Sequence, residues 1–327
     1  MDKDIIRWGI IGCGDVTEVK SGPAFNKVPH SKLVAVMRRN GEKAKDYAQR
    51  HGVGKWYTDA EALINDVEVN AIYIATPPAY HEEYAIKALR ANKPVYVEKP
   101  FALNVKGAQK IVDVVNETGV KLTVAHYRRQ QPLFKKIKSL LSDKIIGDVK
   151  LVQMDFLQQQ DTDVIAQTEI PWRLDPSISG GGLFYDLAPH GLDLMMYLFG
   201  NSIKASGISF NAQGLYAADD TTSGSILFDK HVLFNGRWRF TVPEKRDNCE
   251  IIGTKGKISF SIFDSQPIVI VAGDKEDELH FDRLPHVQQP MIAKVVSYFR
   301  EEGANPCSGE EGLKVMKMME ALTQKDK

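Results

Sequence analysis

From residue 5 to about residue 125, short apolar runs alternate with longer polar stretches in which apolar side chains recur at helical spacing. That alternation predicts βαβ units around a parallel sheet. Strands are expected over residues 6–11, 33–37, 71–75, 94–97 and 121–125. The first four runs read as buried on both faces, as a doubly wound sheet requires. Between them, residues 80–91 place Tyr84, Ala85, Ala88 and Leu89 on one helical face, and residues 105–117 do the same with Ile111, Val112 and Val115. Gly119 stands where a helix C-terminus favours glycine.

After Arg129 the rhythm changes. A helix over residues 133–141 precedes a long strand over 149–158, and a glycine-rich turn then opens a helix over 184–198. Between residues 203 and 271, alternating runs at 224–228, 232–240, 250–253 and 257–262 are mostly separated by glycine, asparagine or charged turns, which predicts a predominantly antiparallel sheet. Helices over 290–302 and 309–323 complete the chain. The fold class is therefore α/β: a doubly wound parallel sheet, then an α+β domain with a large, mostly antiparallel open sheet. At 327 residues the chain exceeds what one hydrophobic core usually spans. The division expected is residues 1–126 and 127–327.

Composition narrows the partners. Lys and Arg equal Asp and Glu at 42 each, so the charge balance favours neither nucleic acid nor an anionic membrane, and small neutral partners are expected. No apolar run approaches the roughly 20 residues of a membrane span, and the start Met1-Asp2-Lys3-Asp4 shows no signal-peptide core. A cytoplasmic protein is the expectation. The three cysteines have no metal-ligand spacing and are odd in number, so neither a metal site nor a disulfide framework is expected, and Cys13 reads as a small residue in a tight turn.

The candidate chemistry begins at Gly12-Cys13-Gly14-Asp15-Val16-Thr17, where the first strand should become the first helix. Glycine there lets the backbone turn sharply and approach a pyrophosphate, which marks Gly12, Cys13, Gly14, Asp15 and Val16 as a candidate dinucleotide cradle. The third fingerprint position is Thr17, and an ordinary turn is the alternative reading. An acidic residue at the tip of the second strand would bind the adenosine ribose. This strand instead ends in Met37-Arg38-Arg39-Asn40. Two guanidiniums can grip a 2′-phosphate, so NADP is expected in preference to NAD, with NAD possible. The alternative leaves both arginines solvated beside Glu42.

The proton-handling candidates lie further along. Lys99, in Glu98-Lys99-Pro100, follows the strand expected over residues 94–97 and so falls at the carboxyl edge of the sheet, where open α/β sheets bind ligands. Asp186 and His190 stand four apart in Gly180-Gly181-Gly182-Leu183-Phe184-Tyr185-Asp186-Leu187-Ala188-Pro189-His190, within reach of one another on a helix. The carboxylate could orient the imidazole for acid or base work. A buried structural pair is the plain alternative. Pro189 predicts a kink or a late helix start.

Taken in this order, the glycine turn, Ala75-Thr76-Pro77-Pro78 with His81, Glu98-Lys99-Pro100 and the triple glycine through Asp186 and His190 resemble the Gfo/Idh/MocA oxidoreductases over nearly the whole chain. The resemblance implies a Rossmann domain followed by an α/β domain whose open sheet forms a homodimer or homotetramer. It implies hydride transfer between a nicotinamide and a secondary carbinol of a sugar, sugar derivative, cyclitol or related diol. Lys99 would hydrogen-bond the reacting oxygen, Asp186 and His190 would bind substrate and exchange its proton, and Glu98 would lie near the nicotinamide ribose. Thr76, Pro77 and His81 would wall the cofactor, although a Thr-Pro-Pro turn capping the next helix also explains them. Tyr127 and Arg129 would face nicotinamide or substrate. In Pro171-Trp172-Arg173, Trp172 and Arg173 would cover the cofactor, against core packing and a structural salt bridge as alternatives. Two other outcomes are compatible with the family: a silent nucleotide-binding regulator or scaffold, and an enzyme whose tightly held NAD serves oxidation and elimination. The sugar, the direction of reaction and the stereochemistry of hydride transfer are not encoded in any motif here.

Overall fold

The computed structural model describes residues 4–159 and 172–324. The chain forms two compact units: the residues up to Tyr127 together with Leu284–Leu313, and Arg128–Arg283 with the residues from Lys314 onward.

In the first unit, strands β1 (Ile6–Ile11), β2 (Ser31–Met37), β3 (Lys55–Tyr57), β4 (Ala71–Ile74), β5 (Val95–Val97) and β6 (Leu122–Val124) make one parallel sheet in the order β3-β2-β1-β4-β5-β6. Helices α1 (Asp15–Val19), α2 (Gly41–Arg50), α3 (Ala60–Ile64), α4 (His81–Arg90) and α5 (Val105–Thr118) connect the strands. Every residue of β4 and β5 is buried, which is why those segments read as unbroken apolar runs. Asn40, Asp59 and Asn104 cap α2, α3 and α5 by accepting a backbone N–H from the first turn. Gly119 ends α5 in the left-handed region at φ 68°. The chain order reverses at β1, so ligand space is expected beyond the carboxyl ends of β1 and β4.

The second unit contains α6 (Pro132–Ser142), β7 (Val149–Gln158), α7 (Pro176–Ser179), α8 (Gly182–Phe199) and strands β8 (Ser202–Phe210), β9 (Thr221–Phe228), β10 (Val232–Phe240), β11 (Arg246–Gly253), β12 (Gly256–Phe260), β13 (Ile268–Ala272) and β14 (Lys275–Leu279). The eight strands run β14-β13-β12-β11-β7-β10-β9-β8, antiparallel throughout except for the parallel pair β7 and β10. One face is buried, with Phe228, Phe234, Trp238 and Ile251 in its core. Helix α9 (Gln289–Phe299) belongs to the first unit, and α10 (Gly309–Thr323) begins in the first and ends in the second.

Two expectations need correction. The division at residue 126 is not the whole of it, because residues 284–313 return to the first unit. The reason is the open edge of β6. Val124 N–H donates to the Cys307 carbonyl (3.0 Å), Asn305 Nδ2 donates to the Leu122 carbonyl (2.7 Å), and Lys121 Nζ donates to the carbonyls of Tyr298 and Phe299 (3.1 Å each). An edge strand that presents unpaired polar groups is thereby covered. The second correction concerns Pro189: α8 starts early, at Gly182, and Pro189 lies inside it. The surrounding helix is buried almost throughout, and that packing carries a residue that would weaken an exposed helix. Among the described residues no helix is long and apolar enough to cross a membrane.

Candidate active site

The glycine turn follows β1 directly. Gly12 adopts φ +93°, and a Cβ on it would lie 2.8 Å from both the backbone nitrogen and Cγ2 of Thr76, so only glycine fits. Both Gly12 N–H and Cys13 N–H donate to the Met37 carbonyl (2.9 and 3.2 Å), fastening the turn to the end of β2. Gly14 is different. It is extended, and nothing lies within 4 Å of the position its Cβ would take. Its lack of a side chain leaves room beside the backbone. Thr17, buried, donates its hydroxyl to the Gly14 carbonyl (2.7 Å), and its own carbonyl accepts the Tyr47 hydroxyl (2.8 Å). Threonine thus closes the turn where the fingerprint usually has a small residue. Burial pushes the Cys13 thiol up to about 12, so it stays protonated and inert. Asp15 and Val16 open α1, which is five residues long.

Across from this turn, the buried Thr76 Oγ1 has no hydrogen-bond partner among the described residues. A buried hydroxyl without a partner is unfavourable unless something binds it. The vacant side of Gly14 and this hydroxyl fit a phosphate-bearing nucleotide close to the backbone. At the tip of β2, Arg38 Nη1 donates to the Cys13 carbonyl (3.3 Å), and the exposed Arg39 lies over the Tyr80 ring at 4.9 Å. Among the described residues, Glu42 forms no ion pair with either arginine.

His81 is fully buried, with Nε2 2.7 Å from the Thr76 carbonyl and Nδ1 2.9 Å from the Pro100 carbonyl. Two carbonyls would suit an imidazolium, but burial and the nearby Lys99 outweigh them and pull the ring down to about 4. His81 is therefore a neutral buried ring between the Thr76-Pro77 turn and Lys99-Pro100, donating to one of the two carbonyls. Lys99 is half-buried just after β5 and precedes a cis peptide bond to Pro100. Beside it, Glu98 is buried: Oε1 accepts from Tyr73 Oη (2.7 Å) and Gln288 Nε2 (2.6 Å), and Oε2 accepts the Lys99 N–H (3.2 Å). Tyr127, the last residue of the first stretch of this unit, is buried as well.

The second unit presents α8. Asp186 lies in its second turn, and its Oδ2 accepts from Arg173 Nε at 2.9 Å. Arg173, buried, also stacks over the Trp172 ring at 4.4 Å, so these two expected cofactor contacts form one stack with Asp186. Pro171 lies outside the described residues. One turn beyond Asp186, the buried His190 meets the Phe263 ring edge to face at 5.4 Å. Phe263 also carries the Arg128 guanidinium at 4.6 Å and packs on Phe156. Its backbone is fixed by Asp247, whose carboxylate accepts N–H bonds from Ile262 (3.0 Å), Phe263 (2.6 Å) and Asp264 (2.9 Å). Arg129, expected to touch substrate, is 2% exposed and engages Asp193: Nε donates to both carboxylate oxygens at 2.9 Å, and Nη2 lies 2.7 Å from Oδ1.

Asp193, Phe263, Asp247 and Gln288 were not visible as site residues in the sequence. Asp193 had a signal, an acid three residues after His190 in the otherwise apolar run 192–199, which demands a buried partner. The others come together only through the fold.

Comparison with known proteins agrees with these features. A model described as an oxidoreductase family with an NAD-binding Rossmann fold matches residues 6–126, and one for the Gfo/Idh/MocA C-terminal domain matches residues 134–259. Oxidoreductase P35 of Formosa agariphila is 47% identical, over 97% of this chain and 98% of that protein. The 1,5-anhydro-D-fructose reductase of Ensifer adhaerens is 26% identical, over 94% and 92%. A levoglucosan dehydrogenase solved with NADH shares the fold, with a TM-score of 0.87 at 21% identity over 97% of this chain and 95% of that one. The chain thus belongs to the Gfo/Idh/MocA family of oxidoreductases, and its first unit is that family's NAD(P)-binding Rossmann domain.

Proposed function

We propose that this protein is an NADP(H)-dependent oxidoreductase that moves a hydride between nicotinamide C4 and the secondary carbinol carbon of a sugar, sugar derivative, cyclitol or related diol. The observation that carries the reading is the cradle made by Gly12, the open side of Gly14 and the unpartnered Thr76 hydroxyl. Gly12, Cys13, Gly14, Asp15 and Val16 would hold the pyrophosphate, with Thr76 and Pro77 alongside. Arg38 and Arg39 would take the 2′-phosphate, supported by the lack of a carboxylate at the end of β2. Arg39 has the freer guanidinium, since Arg38 already donates to Cys13.

When bound, the nicotinamide supplies the hydride acceptor or donor, and the protein supplies orientation and proton management. Lys99 hydrogen-bonds the reacting oxygen. His190 takes the hydroxyl proton during oxidation and returns it to the oxygen during reduction. Asp186, held by Arg173, accepts from substrate hydroxyls, and Tyr127 contributes to the same recognition. The pairing of Arg129 with Asp193 and of Arg173 with Asp186 gives these arginines a framework role, holding α8 and the turn at Trp172. The sugar-directed names of relatives support a polyhydroxylated substrate. On the second sheet, exposed Ile208, Phe210 and Leu233 lie on one face and support assembly through it as a homodimer or homotetramer.

The test is turnover of NADPH or NADH with a panel of sugars, anhydro-sugars and cyclitols, in the wild type and in Lys99→Met and His190→Asn. Loss of turnover by orders of magnitude with nucleotide binding retained is expected. Full turnover in both variants would remove the assigned roles. An inert wild type that still binds nucleotide would point to a regulator or scaffold.

A further inference from the structure

We infer that Gln288 is a positioning residue for the nicotinamide half of the cofactor, acting through Glu98; the inference rests on the nucleotide-binding reading above. The steps begin with topology. In a doubly wound sheet of this strand order, the two halves of a dinucleotide lie on either side of the reversal point. The glycine turn at β1 and the arginines at β2 serve the adenosine side. The carboxyl ends of β4 and β5 then serve the other nucleoside, and Glu98 is the first residue after β5.

Glu98 is 5% exposed, and its carboxylate is asymmetrically satisfied. Oε1 receives two donors, from Tyr73 and Gln288, whereas Oε2 receives the Lys99 N–H at 3.2 Å and keeps acceptor capacity. The oxygen with capacity left is the one suited to a ribose hydroxyl. What fixes this orientation is a buried chain of hydrogen bonds. Tyr96 Oη donates to Gln288 Oε1 (2.9 Å), which sets the amide so that Nε2 must face Glu98. Tyr73 Oη, sharing its contact with Ser21 Oγ (3.0 Å), supplies the second donor to Oε1. Tyr73, Tyr96 and Gln288 are each essentially inaccessible to water, so a lost donor cannot be replaced by solvent.

Gln288 reaches this place from nearly two hundred residues downstream, at the N-cap of α9, where Gln288 N–H donates to the Lys20 carbonyl (3.2 Å). The residue couples three parts of the first unit: the end of the first helical segment, the β5 tip and the returning C-terminal segment. Without Gln288, Oε1 loses one of its two anchors and the carboxyl group can rotate away from the ribose-binding orientation.

Calorimetric titration of the full chain with NADPH and NADH, and with 2′,5′-ADP and AMP as probes that lack the nicotinamide ribose, tests this. Gln288→Leu is expected to weaken the preferred dinucleotide about tenfold or more, the loss of a buried hydrogen bond to a carboxylate, and to leave the adenosine probes within about twofold. Gln288→Glu supplies a second variant with the same shape. Its added carboxyl faces Glu98 Oε1 and can replace the amide donor only when protonated, so dinucleotide affinity is expected to approach wild type at acid pH and fall as pH rises, against a flatter wild-type profile. Equal weakening of dinucleotide and adenosine probes, or dinucleotide affinity unchanged in Gln288→Leu while the wild type binds well, overturns the inference alone. A wild type that binds none of these nucleotides removes the nucleotide-binding reading and the inference with it.

Discussion

Replacing Asp193 by leucine while leaving Arg129 in place is expected to lower stability by about 3–5 kcal/mol, the usual result of stripping one partner from a buried ion pair. The geometry sets that magnitude. The side chains are 3% and 1% exposed, and the carboxylate holds the guanidinium through Nε and Nη2 contacts of 2.7–2.9 Å. Removing the carboxylate leaves a guanidinium with no route to water. Against a total stability on the order of 5–15 kcal/mol, the loss is a large share. Replacing both residues, Arg129→Met with Asp193→Leu, is expected to recover most of it, because the flanking Leu192 and Leu194 are fully buried and the Tyr197 ring already lies 5.7 Å from the guanidinium. Urea unfolding followed by tryptophan fluorescence and circular dichroism, with midpoints and slopes fitted for the wild type, Asp193→Leu, Arg129→Met and the double variant, gives the coupling directly. A single variant that loses less than about 1 kcal/mol, or a double variant no better than the single, would refute the buried-pair reasoning. It would also return Arg129 to the substrate-contact role that the sequence suggested.

Three further outcomes follow from the geometry. Gly14→Ala should keep stability within about 0.5 kcal/mol, since its Cβ meets nothing, yet weaken dinucleotide binding at least tenfold; Gly12→Ala should cost stability as well, by about 1–3 kcal/mol, as its Cβ strikes Thr76 at a positive φ. Thermal denaturation beside calorimetric binding separates the two. His81, pulled down to about 4 from an unfolded value near ~6.5, binds fewer protons folded than unfolded, so it contributes stability that is present above the unfolded value and lost as pH falls from about 6.5 to 4. His81→Gln, which keeps one donor and one acceptor, should flatten that part of the stability profile; an unchanged slope would count against a neutral buried imidazole. Phe263→Leu should lower kcat/KM several-fold with nucleotide affinity intact, since the ring packs edge to face on His190, and a loss confined to melting temperature would make Phe263 mere packing.

Much of the fold was legible because its signals are local. The strands Val149–Gln158 and Val232–Phe240 fall where alternation placed them, since one face of that sheet is buried and period two follows directly. Lys55–Tyr57 and Lys275–Leu279 escaped notice. Both are sheet edges, the second nearly all charged, where burial imposes no pattern. The return of residues 284–313 was equally silent, because Met291, Ile292 and Val295 announce a buried helix face without saying which sheet buries it. At the site, the glycine turn and Lys99 fell at strand ends, and Asp186 and His190 one turn apart on α8, as their spacing implied. Arg129 and Arg173 show where that reasoning stops: a guanidinium next to a motif reads as a ligand contact until the fold supplies Asp193 and Asp186.

In the proposed function a nicotinamide dinucleotide sits on the Gly12–Gly14 turn with its 2′-phosphate against Arg38 and Arg39. Calorimetric titration of nucleotide-free protein with NADPH and, separately, NADH tests it most directly. Clearly tighter NADPH binding, lost in Arg38→Ala/Arg39→Ala, is expected. Preference for NADH would contradict the arginine assignment, and no binding of either would contradict the cofactor reading as a whole.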